Sequence, residues 1–83
     1  MSSLSSDAQV YRIAKAITKH DSTDFPDGPC NAIYVGGAGI VVAVMADSGD
    51  VVNFTCVAGQ ILPIRAKRVN STTTSATLMV ALY

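Results

Sequence analysis

Residues 32–69 read AIYVGGAGIVVAVMADSGDVVNFTCVAGQILPIRAKRV, and this run decides the fold. Apolar, β-branched segments alternate with Gly36-Gly37-Ala38-Gly39, Asp47-Ser48-Gly49-Asp50 and Ala58-Gly59-Gln60, the pattern of short strands joined by tight turns. It predicts strands over 32–35, 40–46, 51–57 and 61–69, with a last one over 77–83. In 51–57, Val52, Phe54 and Cys56 share one face, Asn53 and Thr55 the other. In 61–69, Leu62, Ile64 and Ala66 point inward while Pro63, Arg65 and Lys67 point outward, Pro63 marking an edge or bulge. Strands 40–45 and 77–83 are apolar on both faces. The expected fold class is all-β, a small antiparallel barrel or sandwich of jelly-roll type; meander and jelly-roll strand orders share this pattern.

Outside the run, residues 1–18 are expected to form an N-terminal arm and 19–83 a single β domain. Val10, Ile13, Ala14 and Ile17 have helical spacing, yet residues 13–18 also suit a strand, and an extended arm ending in a strand is preferred over a helix. Residues 19–29, KHDSTDFPDGP, carry two prolines and three aspartates and read as a loop that Phe25 anchors to the domain. Residues 70–76, NSTTTSA, form a polar loop.

The chain has 83 residues, 49 % of them hydrophobic and 14 % charged, against roughly 25 % charged in ordinary soluble domains. A domain of this size buries only about 60–65 % of its unfolded surface. Strands with two apolar faces therefore outrun the available interior, which points to an obligate homo-oligomer. The longest apolar stretch, Ile40 to Ala46, falls well short of the roughly 20 residues of a spanning helix, and no membrane association is expected. The start MSSLSSDAQVYR has no signal-peptide character, so synthesis in a cytoplasm is expected, with Cys30 and Cys56 as free buried thiols. Net charge is zero, which argues against a general grip on nucleic acid.

Candidate chemistry dissolves on inspection. Gly36 to Gly39 lacks the Lys-Ser/Thr of a phosphate loop and leads into a strand where a helix is required. Asp21, Asp24 and Asp27 lack the closing Glu of an EF-hand and read as solvated turns and caps. His20 stands beside Asp21, but no nucleophile sits in a recognisable elbow. No catalytic, cofactor-binding or metal-binding residue is expected, no cofactor is implied, and the chain is read as a non-enzyme. The alternative is a small β-barrel module that binds carbohydrate or nucleic acid. Tyr11 and Tyr34 are the candidate glycan platforms.

Four pieces of the chain, Pro29 to Gly36 (PCNAIYVG), Met45-Ala46-Asp47, Val57 to Arg65 (VAGQILPIR) and the ending Val80-Ala81-Leu82-Tyr83, resemble the head spike base family of gene transfer agents and related tailed bacteriophages. The resemblance spans about Ile17 to Tyr83. Ile40 departs from it, standing where a polar residue such as Asp is expected, and residues 11–16 match it poorly. The resemblance implies a virion structural protein on the capsid surface, a vertex spike base or decoration protein that carries a head fibre and contacts the major capsid protein. A five-fold ring, hence a pentamer, suits that location.

On this reading Val42, Val44, Val52, Phe54, Leu62, Ile64, Val80 and Leu82 form the core. Val41, Met45, Met79, Ala81 and Tyr83 pack between subunits, so that Met79→Asp breaks the ring and leaves the fold partly intact. Arg12, Lys15, Arg65 and Lys67 contact the capsid or another partner, and the arm from Ser2 to Thr18 reaches the shell or a neighbouring chain.

Overall fold

The computed structural model describes residues 10–83; the arm residues before Val10 lie outside them. Seven strands follow one another: β1 (Ala14–Ala16), β2 (Ala32–Gly37), β3 (Gly39–Met45), β4 (Val51–Cys56), β5 (Gln60–Leu62), β6 (Ala66–Val69) and β7 (Thr77–Leu82). They build two antiparallel sheets, one ordered β1-β7-β2-β5 and the other β4-β3-β6. The fold is an all-β sandwich and not a closed barrel. The segment left open between helix and strand is strand β1, paired to β7.

The predicted strand over 61–69 is two strands in different sheets. Pro63 cannot donate to a ladder. The chain leaves the β2 sheet there, with Ile64 N–H donating to Leu62 C=O at 2.9 Å, and enters the β3 sheet at Ala66.

Between the sheets lie Ile33 and Val35 of β2, Val41 and Ala43 of β3, Leu62, Ala66, Val69, Met79 and Ala81, with Cys30 and Cys56. Phe25, Phe54, Ile64 and Tyr83 pack against this cluster half-buried. Each fully buried Val or Ile contributes about 1.5–3 kcal/mol.

This arrangement corrects the expected faces of β3 and β7. Val41, Met79 and Ala81 were assigned between subunits, yet they point between the sheets and are at most 5 % exposed. Val80 and Leu82, assigned to the core, lie half-buried on the outside. The physical reason is register. Directly opposed residues of an antiparallel pair share a face. Met79 lies opposite Val35 and Ala81 opposite Ile33, both interior. Val41 lies opposite Phe54 and Ala43 opposite Val52, so Val42 and Val44 must point outward. Val52 keeps its predicted inward face but is 37 % exposed at the sheet edge.

Val42 and Val44 are nonetheless buried, and the polar loop 70–76 runs along β3 beside Ile40 and Val42, beyond the end of β6. Asn70 N–H donates to Val42 C=O at 2.9 Å, and both Ser75 and Ala76 N–H groups donate to Ile40 C=O. In return Ile40 N–H donates to Ser75 Oγ at 2.9 Å and Val42 N–H to Thr74 Oγ1 at 3.0 Å. The hydroxyls of the NSTTTSA loop stand in for strand carbonyls. Thr74→Val keeps the shape and orphans a buried N–H, so a loss of about 1–3 kcal/mol is expected, read as a fall of the thermal midpoint by roughly 4–8 °C per kcal/mol.

Candidate interaction surfaces

The loop 19–29 carries the groups that resemble chemistry, and the structure gives His20, Asp21 and Asp24 structural partners. Phe25 N–H donates to Lys67 C=O and Cys30 N–H to Ala66 C=O, both at 2.9 Å, which lays the loop along β6. His20 Nδ1 accepts from the N–H groups of Ser22 and Thr23. Asp21 accepts from Thr72 N–H at 2.8 Å and Thr72 Oγ1 at 2.7 Å. Asp24 pairs with Arg68 at 2.9 Å. Among the described residues no cluster of three or more His, Cys or acidic side chains is placed to hold a metal.

The Thr72 hydrogen bonds, backbone first, hold the Asp21 carboxyl below its usual value of 3.8. A lowered pKa means the clasp between residues 21 and 72 is fully formed above 3.8 and is lost as pH falls through the lower folded value. Hydrogen exchange at the Thr72 amide should accordingly speed up below that point, beyond the intrinsic trend, and Asp21→Asn should remove the pH step.

Cys30 and Cys56 are buried and free, and burial pushes both thiols up. Neither has the lowered pKa of a reactive cysteine. Tyr83 donates its hydroxyl to Gly28 C=O at 2.8 Å, which ties the last described residue to the loop.

The remaining distinctive feature is the outer face of the four-stranded sheet. Register aligns Ala16, Val80, Tyr34 and Ile61 in one row across all four strands. A second row holds Ala14 and Leu82, beside the fully buried Ala32. Leu78 extends the face beside Gly36, where a Cβ would come within 2.7 Å of the Leu78 Cβ. Leu78 is 78 % exposed, Ile61 48 % and Tyr34 38 %. These rows contain no charged side chain. A contiguous uncharged apolar face of this kind marks a contact with another macromolecule.

Leu78 also has φ +54°, a left-handed conformation that a leucine adopts at a cost. Strained residues of this kind cluster at functional sites. Of the residues expected at subunit contacts, Met45 and Tyr83 are half-buried, whereas Val41, Met79 and Ala81 are interior. Of the expected partner-contact residues, Lys15 borders a groove of about 320 Å³ between β1 and the 19–29 loop, and Arg65 donates to Asn31 Oδ1 at 2.7 Å. Tyr34, a candidate glycan platform, has Val80 and Ile61 beside it in place of a polar groove. Sequence reading missed Ile61, Leu78, Val80 and Leu82 as surface; the signal was the hairpin and strand register, which fixes which of two apolar faces is enclosed.

No protein-family model matches the chain, and no curated protein does. Among solved structures, a chain from the capsid of a native GTA particle, computed with C5 symmetry, superposes with a TM-score of 0.80. It is 31 % identical, over 99 % of this chain and 100 % of that one.

Proposed function

The chain belongs to the family of that gene transfer agent capsid chain, a structural component of a virion shell, and from this premise we propose that it is the spike base at the capsid vertices. In this role it has no catalytic duty. It sits on the outer surface of a virion assembled in a host cytoplasm, forms a pentameric ring, rests on the major capsid protein and carries a head fibre. The observation that carries the reading is full-length similarity to a capsid chain. The uncharged outer face of Ala16, Val80, Tyr34 and Ile61 supports it, because a contiguous exposed apolar patch marks a surface that meets another macromolecule. A ring of five is in keeping with the C5 symmetry applied to the particle that holds the similar chain.

Cryo-electron microscopy of particles with and without this chain tests the proposal. Density at the five-fold vertices, lost together with the fibre when the chain is deleted, is the expected result; unchanged vertices would sink it. Tyr34→Asp places a charge in the middle of the apolar row. It should cut incorporation into particles at least about ten-fold, the loss expected on removing a central aromatic contact worth 1.4 kcal/mol or more, while the far-UV spectrum and melting temperature stay those of the unaltered protein.

A further inference from the structure

The two sheets have four edges, of which one is closed by a loop and one is a strand of three residues. The far side of β6 is taken by the loop, through the N–H groups of His20, Phe25 and Cys30 donating to Val69, Lys67 and Ala66. Strand β5 has three residues and ends at Pro63. The other two edges, β1 and β4, are open among the described residues.

Hydrogen-bond parity identifies the open groups. Met45 N–H donates to Asp50 C=O, so the bonded pairs of the β3–β4 ladder continue at Val52, Phe54 and Cys56. Val51, Asn53 and Thr55 therefore direct N–H and C=O away from β3, and all three are exposed. In β1, Tyr83 N–H donates to Ile13 C=O and Ile17 N–H to Met79 C=O, so Ile13, Lys15 and Ile17 face β7. Ala14 and Ala16 direct N–H and C=O outward.

The two open edges lie on opposite flanks. Strand β1 ends one side of the four-stranded sheet, and β4 runs through a short turn into β5, at the other side. Their charges are complementary. Arg12 and Lys15 flank the β1 edge, Asp47 and Asp50 precede β4, and none of the four is in an ion pair among the described residues.

The geometry points to strand addition between copies of this chain: the β1 edge of one subunit pairs with the β4 edge of the next, head to tail. Two different edges on opposite flanks make a heterologous contact, the kind that closes rings. Backbone pairing supplies the contact, and the Arg12 and Lys15 side chains meet Asp47 and Asp50 across it. This deepens the ring reading above and rests on it. It also accounts for the six-residue, uncharged β4 edge, which would otherwise invite indiscriminate pairing.

Proline replaces an outward N–H without breaking the internal ladder, so Asn53→Pro and Ala16→Pro each block one side of the contact. Native mass spectrometry of the full chain should show a closed oligomer for the unaltered protein and monomer for each variant, with unchanged far-UV spectra. A one-to-one mixture of the two variants should give a dimer, because each retains the edge the other lacks. If a proline variant loses its strand spectrum, reversal of charge replaces it. Asp47→Lys with Asp50→Lys should dissociate the ring, and adding Arg12→Asp with Lys15→Asp to the same chain should restore it. Either proline variant at the unaltered mass, a mixture that stays monomeric, a charge reversal without effect, or an unaltered chain that is monomeric throughout would overturn the inference. Asn53→Pro chains found at the vertices refute strand addition alone, whereas an unaltered chain missing from particles refutes the spike-base reading.

Discussion

Gly39→Ala is expected to unfold the domain or leave it barely folded at 25 °C. Gly39 opens β3 with φ +153°, a backbone conformation closed to side-chain-bearing residues. A Cβ there would stand 2.6 Å from Ala76 N and 2.7 Å from Ser75 C. Both obstacles are backbone, and neither can step aside, because the Ser75 and Ala76 amides are committed to Ile40 C=O. The backbone strain costs about 1–3 kcal/mol and the steric overlap a similar amount. A total of roughly 3–5 kcal/mol is most of what a domain of this size has to lose. Urea denaturation followed by circular dichroism gives the number; a change below about 1 kcal/mol would show that the β3 start and the 70–76 loop are not locked together.

The second large effect separates two neighbours on β7. Met79→Asp should unfold the chain, and Leu78→Asp should leave it folded. Met79 is 5 % exposed, opposite Val35, in the core cluster. Truncating a buried methionine costs about 2–5 kcal/mol, and a carboxylate left there unpaired costs several more. Leu78 is 78 % exposed and strained at φ +54°, so its replacement by Asp, which tolerates that conformation better, is neutral or mildly stabilising. Its effect falls on assembly, since it sits on the apolar outer face. The expectation that Met79→Asp would break a ring and spare the fold is thereby reversed. Melting curves of the two variants and their recovery in particles check both halves: a folded Met79→Asp protein would mean the sheets are packed through the other face of β7.

Much of the architecture was legible in residues. Val51 to Cys56 alternates once per residue, and Phe54 and Cys56 stand as read, whereas Val52, expected in the core, is 37 % exposed. The Asp47-Ser48-Gly49-Asp50 turn sits between β3 and β4, and Phe25 anchors its loop. The final strand ends where its pattern ends. The resemblance in PCNAIYVG and VAGQILPIR pointed to a gene transfer agent capsid, which is where the similar solved chain lies. Alternation failed where it had no contrast to use. In Gly39–Met45 and Thr77–Leu82 both faces are apolar, so a one-residue choice of face swaps core for surface without any sign in the composition. The break at Pro63 was visible as a proline; that it moves the chain from one sheet to the other was not. NSTTTSA read only as a polar loop, although two of its hydroxyls complete the β3 ladder from 32 or more residues away.

Composition and period thus determined that this is a turn-punctuated β domain with more apolar strand surface than it can enclose. Those are local properties, set by side-chain type and by the two-residue repeat of an extended chain. Tertiary structure alone decided which apolar faces are enclosed, because pairing register between β2 and β7 and between β3 and β4 is a long-range constraint. Among the described residues it also left β1 and β4 open while closing β6 with a loop, since an edge exists only once the sheets are ordered. The outward surface is therefore Tyr34, Ile61, Leu78, Val80 and Leu82, and the interior is Val41, Met79 and Ala81.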